Sequence, residues 1–276
     1  MRCAWKELLD ILPPWMRQDV DKTGRESMNE LRLRINAPPE LWRGREVILL
    51  PGSVRMEDLR YLVNAATQFS PWAAGTMEKG YLALPGGHRM GLCGTARIRD
   101  GNMDGFQTIS SVCIRVARDY PGVSFGAPCL ESLLILGAPG WGKTTLLRDL
   151  ARTIARDAPV SVVDERGELF PEGFPRGERM DVLSCCPKAQ GIGQVLRTMG
   201  PEWIAVDEIT AAEDCDALAE AAGCGVRLLA TAHACCAEDL KRRPVYRRLL
   251  ETEVFQHLLV LTKDRQWHRE RLDQWQ

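Results

Sequence analysis

Residues 137–145 read Gly-Ala-Pro-Gly-Trp-Gly-Lys-Thr-Thr, and this stretch decides how the rest of the chain is read. Gly137, Ala138, Pro139, Gly140, Trp141, Gly142, Lys143 and Thr144, followed by Thr145, satisfy G-x-x-x-x-G-K-[ST]. Glycines at these positions let successive backbone N–H groups converge on phosphate oxygens, and the positive end of the following helix adds to that attraction. The context agrees with the motif. Ser132 to Leu136 is an apolar strand, and Lys143 to Arg156 carries Leu146, Leu147, Leu150 and Ile154 at helical spacing. In such a loop Lys143 reaches the β- and γ-phosphates of a nucleotide, and the Thr144 hydroxyl ligates Mg²⁺.

Downstream, strands and helices alternate, which predicts an α/β fold with a parallel sheet and crossover helices. Pro159 to Val163, Trp203 to Val206 and Val226 to Thr231 read as strands; 212–222 and 237–251 read as helices. Three of the strands end in chemistry. Val206 is followed by Asp207 and Glu208, a pair suited to holding Mg²⁺ and polarising an attacking water. Val163 is followed by Asp-Glu-Arg-Gly-Glu, with Glu165 and Glu168, and Thr231 is followed by Ala232 and His233. Ligands in open α/β sheets bind outside the carboxyl ends of the strands, so all of these groups are expected to converge on the nucleotide.

The first 125 residues read differently, as a smaller α+β domain before the nucleotide domain of 126–276. Glu30 to Ile35 alternates at period two, Glu46 to Leu50 precedes Pro51-Gly52, and Met56 to Gln68 has helical spacing. The glycine-rich run from Leu84 to Gly101 is expected to be a tight turn between strands, with Ser110 to Arg118 a further strand. Tyr120-Pro121-Gly122, Gly126 and Pro128 mark a linker. The opening segment is amphipathic, broken by Pro13-Pro14, and lacks the pattern of a signal peptide. With no apolar run long enough to span a bilayer, a cytoplasmic protein is expected. Lys and Arg number 36 against 37 acidic residues, so no overall charge favours nucleic acid. Ten cysteines, none in C-x-x-C, are read as reduced thiols.

The loop, the DERGE acidic box, the strand ending in VDE and the TAHA histidine box resemble, in that order, the ATPases of bacterial secretion and pilus-retraction systems. GYLALPGGHRMGLCGTA, ISSVCIRVARDYPG, DVLSCCPKAQG and KRRPVYRRLLETEVF narrow the resemblance to the stage III sporulation protein AA family. That resemblance implies a RecA-like core, ATP as substrate with Mg²⁺, and a homo-oligomer, a hexameric ring in the related enzymes. It also implies membrane proteins of a sporulation channel as partners, and a place in the mother cell, peripheral at the membrane. Carried over by position, residues 137–145 bind phosphates, Asp207 and Glu208 serve Mg²⁺ and water, Glu165 and Glu168 form the acidic box, and His233 the histidine box. After VDEI the family-like Gly-Arg is replaced by Thr210-Ala211.

Phosphoryl transfer calls for a cation at the transition state, often an arginine of a neighbouring subunit. Arg115 or Arg118 is the candidate, with ion pairing on a solvated face as the plain alternative. Lys241-Arg242-Arg243 and Arg247-Arg248 read as a solvated helix face with intersubunit pairs, and His88, His257 and His268 as structural. An ATP-dependent nucleic-acid remodeller and a nucleotide-gated scaffold with little turnover are the alternatives to a motor.

Overall fold

The computed structural model describes residues 1–68, 80–127 and 131–271, so Pro128 of the expected linker lies outside the described residues. The chain forms two compact units, one of Met1–Asp119 with Pro171–Phe174 and one of Tyr120–Phe170 with Pro175–Gln276.

In the first unit a six-stranded antiparallel sheet is ordered β3-β2-β1-β6-β5-β4, from β1 (Glu30–Arg34), β2 (Glu40–Arg43), β3 (Glu46–Leu49), β4 (Tyr81–Ala83), β5 (Arg89–Arg99) and β6 (Asn102–Arg115). The period-two pattern does what it predicts: Leu31 and Leu33 are buried and join Met90, Val112 and Ile114 in one core. The opening segment contributes two helices rather than one broken one. Helix α1 (Trp5–Ile11) ends before Pro13, and Pro14 starts α2 (Pro14–Gly24), where its missing N–H costs nothing. Leu8, Ile11, Met16 and Val20 of these helices and Leu59 and Leu62 of α3 (Met56–Gln68) pack into the same core.

Two expectations are corrected here. Only the start of the glycine-rich run is a tight turn, Pro85–Gly87 between β4 and β5 with Gly86 and Gly87 at φ 69° and 79°; Arg89–Arg99 is a strand paired with β6, and the next reversal lies at Asp100-Gly101, both with positive φ (50° and 80°). Within the strand, Gly94 serves close pairing. A Cβ on Gly94 would sit 2.0 Å from the Thr108 carbonyl oxygen, at one of the register shifts where this hairpin bulges. Arg118, a candidate for reaching another subunit, is buried. Its Nη2 donates to the carbonyls of Arg25 (2.9 Å) and Gly24 (3.3 Å), and the guanidinium lies 5.5 Å from the Trp5 ring centroid. It holds the end of α2 in place. Arg115 is 69% exposed, with Glu30 at 3.8 Å.

His88 is structural, as read. Its Nδ1 accepts the Ala117 N–H at 2.9 Å, Nε2 faces the Ala4 carbonyl at 2.9 Å, and burial holds the imidazole below its ordinary pKa.

In the second unit a seven-stranded sheet is ordered β13-β12-β7-β11-β10-β8-β9. Its strands are β7 (Leu133–Leu136), β8 (Val160–Asp164), β9 (Met180–Ser184), β10 (Trp203–Val206), β11 (Arg227–Ala232), β12 (His257–Leu261) and β13 (Trp267–Arg271). All neighbours are parallel except β12 and β13. Both faces are covered, so β7, β8, β10 and β12 are buried at every position. On one face Leu133, Ile135, Val162 and Ala205 meet Leu146, Leu147 and Leu150 of α4 (Lys143–Ile154). On the other, Leu134, Leu136, Val163 and Ile204 meet α5 (Lys188–Thr198), α6 (Ala212–Gly223), α7 (Ala237–Arg242) and α8 (Pro244–Glu251) through Ile192, Leu218, Leu240 and Leu249. The helix expected over 237–251 is thus two helices. Arg243, preceding Pro244, takes extended angles (φ −101°, ψ 126°), as the proline ring demands of its predecessor.

Candidate functional site

The parallel sheet brings four strand ends level. Leu136 pairs with Ala232, Ala230 with Val206, and Val206 with Val163, so the segments after β7, β11, β10 and β8 leave the sheet side by side. The loop after β7 is built from its glycines. Gly140 and Gly142 have φ of 79° and 103°, a region that side chains with Cβ rarely enter, and nothing lies within 4 Å of a Cβ added at either. Gly142 is the N-cap of α4, so the loop feeds directly into a helix N-terminus with no side-chain cap. Trp141 packs against the core beneath, anchoring the loop.

Lys143 is buried, and its ammonium donates to the loop's own carbonyls, Gly137 at 2.9 Å and Ala138 at 3.3 Å. Burial lowers its pKa, while Glu208 and Asp207 pull the other way. Such an ammonium is under-neutralised, and a phosphate would complete it.

Asp207 leaves β10 with its carboxylate oxygens each 3.5 Å from Thr144 Oγ1. The buried Thr231 hydroxyl donates to Asp207 at 3.1 Å and fixes its rotamer from β11. A hydroxyl and a carboxylate facing each other are hard oxygen donors, and two protein ligands are what Mg²⁺ accepts when phosphate oxygens and waters complete its octahedron. The residues therefore fit Mg²⁺.

Glu208 Oε1 lies 2.9 Å from His233 Nδ1, and the His233 N–H donates to the Tyr246 hydroxyl at 2.9 Å. The His233 pKa is lowered, first by burial and then by Lys143, so the ring is held toward its neutral form. The expected histidine box and the acid after β10 are in contact.

The acidic box rests on Asp164, its first residue, to which the sequence assigns no role of its own. Its carboxylate accepts N–H bonds from Glu168 (2.9 Å), Leu169 (2.9 Å) and Phe170 (3.1 Å). Burial raises its pKa despite those bonds. Arg148 of α4 donates to the Glu168 carbonyl at 2.9 Å, so the box is also tied to the phosphate-loop helix. Glu165 and Glu168 line a cleft with Thr144, Asp207, Glu208 and Lys188.

Lys188 is the residue the sequence reading missed. It opens α5, is buried, and donates to the Glu208 carbonyl at 2.6 Å, to Glu165 at 3.3 Å and to Asp214 at 3.4 Å. DVLSCCPKAQG contains it, but a single lysine behind Cys185-Cys186-Pro187 has no spacing that signals a site. The basic face after His233 is largely exposed, with Arg243 3.6 Å from Asp239 and Arg248 paired with Asp216.

Comparison with known proteins agrees with this architecture. The solved structure of the Legionella pneumophila ATPase DotB superposes with a TM-score of 0.62 at 17% identity, covering 94% of this chain and 80% of that one. The pilus retraction motor PilT with bound ADP gives 0.62 at 14% identity, covering 88% and 76%. The fold is accordingly the RecA-like P-loop α/β fold of these proteins. Stage III sporulation protein AA of Bacillus subtilis (strain 168) is 36% identical over 280 residues, covering 93% of this chain and 91% of that one. The profile of the family described as "Sporulation stage III, protein AA" matches residues 5–271, and the chain belongs to that family.

Proposed function

We propose that this protein is an Mg²⁺-dependent ATP hydrolase that drives a secretion-like channel during sporulation. One observation carries the reading: the phosphate loop, the Thr144–Asp207 pair and the Glu208–His233 pair stand at adjacent strand ends of one parallel sheet. Residues 137–145 bind the phosphates, with Lys143 exchanging its loop carbonyls for phosphate oxygens. Thr144 and Asp207 would hold Mg²⁺, whose charge would offset that of the polyphosphate. Glu208 orients and polarises the attacking water, and His233 holds the Glu208 carboxylate at one oxygen, leaving the other for that water. Glu165 and Glu168 close the site from β8. Adenine is preferred here by analogy with DotB, an ATPase, and with PilT, which binds ADP.

The motor part rests on family membership and on the fold shared with those proteins. The active form is a homo-oligomeric ring, with Arg115 supplying a cation to a neighbouring site, and membrane proteins of the channel hold it at the mother-cell face. No helix among the described residues is long and apolar enough to cross a membrane, so attachment in this reading goes through partners.

The test is steady-state ATPase across a protein concentration series with Mg²⁺, with mass measured by light scattering, for the wild type and Glu208→Gln. Per-subunit activity that rises with assembly and vanishes in the variant supports the motor. Tight ATP binding with no turnover at any concentration, even after adding the channel's cytoplasmic domains, would leave a nucleotide-gated scaffold instead.

A further inference from the structure

Lys188 is costly where it stands. A cation at the first position of a helix opposes the positive end of the helix dipole, and burial removes its hydration. Buried ion pairs contribute little net stability compared with apolar packing, so the fold alone gives no reason for a lysine there. Its partners give one. The three N–H donors of the ammonium are all engaged, by the Glu208 carbonyl, the Glu165 carboxylate and the Asp214 carboxylate.

Asp214 in turn accepts the N–H groups of Thr210 (3.0 Å) and Ala211 (3.2 Å). Lys188 and Asp214 therefore grip the turn after β10 from both ends, at the main chain of Glu208 and at the start of α6. That turn carries Thr210-Ala211 and no cation of its own. The ammonium that pairs with Glu165 and holds the Glu208 carbonyl comes instead from the start of a helix 20 positions before Glu208, in a cleft that Arg166 also lines.

We infer that Lys188 is a positioning residue of the hydrolytic site: it fixes the Glu208 main chain and the Glu165 carboxylate together, setting where the water-polarising acid stands relative to the acidic box. The inference rests on the hydrolase reading and names a residue that reading does not use. The ammonium also offsets the mutual repulsion of acids that line one cleft with Asp207 and would otherwise repel a polyphosphate. Its effect falls on the geometry of the chemical step, while the phosphate loop supplies the binding.

The experiment uses the full chain at concentrations where it assembles. It compares wild type, Lys188→Ala, Lys188→Arg and Glu165→Gln by kcat and KM for Mg-ATP and by thermal melting, with and without added propylammonium. Lys188→Ala is expected to lose about 30- to 100-fold in kcat with little change in KM, the mark of misplaced groups. Propylammonium is expected to restore part of that loss in Lys188→Ala and to leave wild type and Glu165→Gln unchanged, a response that a purely structural lysine would not give. Lys188→Arg keeps the charge but cannot meet three partners from a planar fork, and is expected to melt near wild type with reduced kcat. It decides the matter if the alanine variant does not fold. Folded variants with wild-type kcat, or a raised KM with kcat unchanged, would overturn the inference alone. A wild type that never turns over would overturn the hydrolase reading and this inference with it.

Discussion

The two sheets of this molecule divide its labour by how they are buried. In the antiparallel sheet one face packs and the other meets solvent: β1 alternates, and β5 is exposed along most of its length. In the other sheet β7, β8, β10 and β12 are buried at every position, β11 at all but its first, and only the strand ends reach water. A strand with nothing exposed along its length can present polar chemistry only where it stops. The polar groups after β7, β8, β10 and β11 accordingly stand at the carboxyl ends, aligned by register. The antiparallel unit, free to vary on one face, carries no such convergence among its described residues.

The contrast can be broken first at the strand ends. Glu208→Gln is expected to cut kcat by about 10²–10⁴-fold with unchanged melting and retained binding of a fluorescent ATP analogue. If turnover survives, the acid after β10 is structural and the division of labour fails there.

Next is the burial itself. Leu228 in β11, fully buried between β10 and β7, is expected to cost about 2–5 kcal/mol on Leu228→Ala. Ile98→Ala on the exposed hairpin, where Ile98 is 62% exposed, is expected to stay within about 0.5 kcal/mol. Urea unfolding followed by hydrogen exchange in each sheet gives both numbers, and equal effects would remove the basis of the comparison.

Arg118 sharpens the comparison from the other unit. Arg118→Ala removes the hydrogen bonds to the Arg25, Gly24 and Met28 carbonyls and is expected to destabilise the antiparallel sheet by about 1–3 kcal/mol, with ATPase per folded subunit unchanged. Arg115→Ala should do the reverse, reducing ATPase in the proposed ring without changing stability. An ATPase loss in a fully stable Arg118→Ala would restore it as a cation for another subunit.

The smallest effect is a pH dependence confined to the antiparallel unit. His88 has a depressed pKa when folded, so the unfolded chain binds the extra proton first as acidity rises. Its contribution is flat above the ordinary imidazole value of about 6.5 and declines as pH falls below it, by at most about 1.4 kcal/mol per unit. His88→Gln, which can still donate to Ala4 and accept from Ala117, should flatten that slope in hydrogen exchange of β1 and β6. An unchanged slope would place the titration elsewhere.

Much of the nucleotide side was legible because its signals are local. Gly140 and Gly142 are needed for their φ angles, the apolar runs for their burial, and the acids of 164–168 and 207–208 for following those runs. What escaped depends on distant partners. Lys188 acquires meaning from Glu165 and Asp214, 23 and 26 positions away. Strand β9, at the sheet edge, is only partly buried and lacks the apolar run of its neighbours. The glycines of β5 resemble turn residues until their close pairing with β6 is seen, and Pro244 divides a helix whose amphipathic pattern continues across it. In the antiparallel unit, Leu31 and Leu33 announced their strand, while the carbonyls that hold Arg118 come from the end of α2 and its following turn.

Strand order also sets a timetable. The phosphate-loop strand β7 is flanked by β11 and β12, and β12 begins 124 residues after β7. At about 5–20 residues per second of synthesis, β7 waits roughly 6–25 s for its outer neighbour to be made. The four levelled strand ends are complete earlier, once β11 ends at Ala232, and until then the loop sequence exists without the sheet that levels them. A nascent chain stopped between Glu208 and β11 carries the phosphate loop and the acids but lacks Thr231, which holds the Asp207 carboxylate, and His233, which holds that of Glu208.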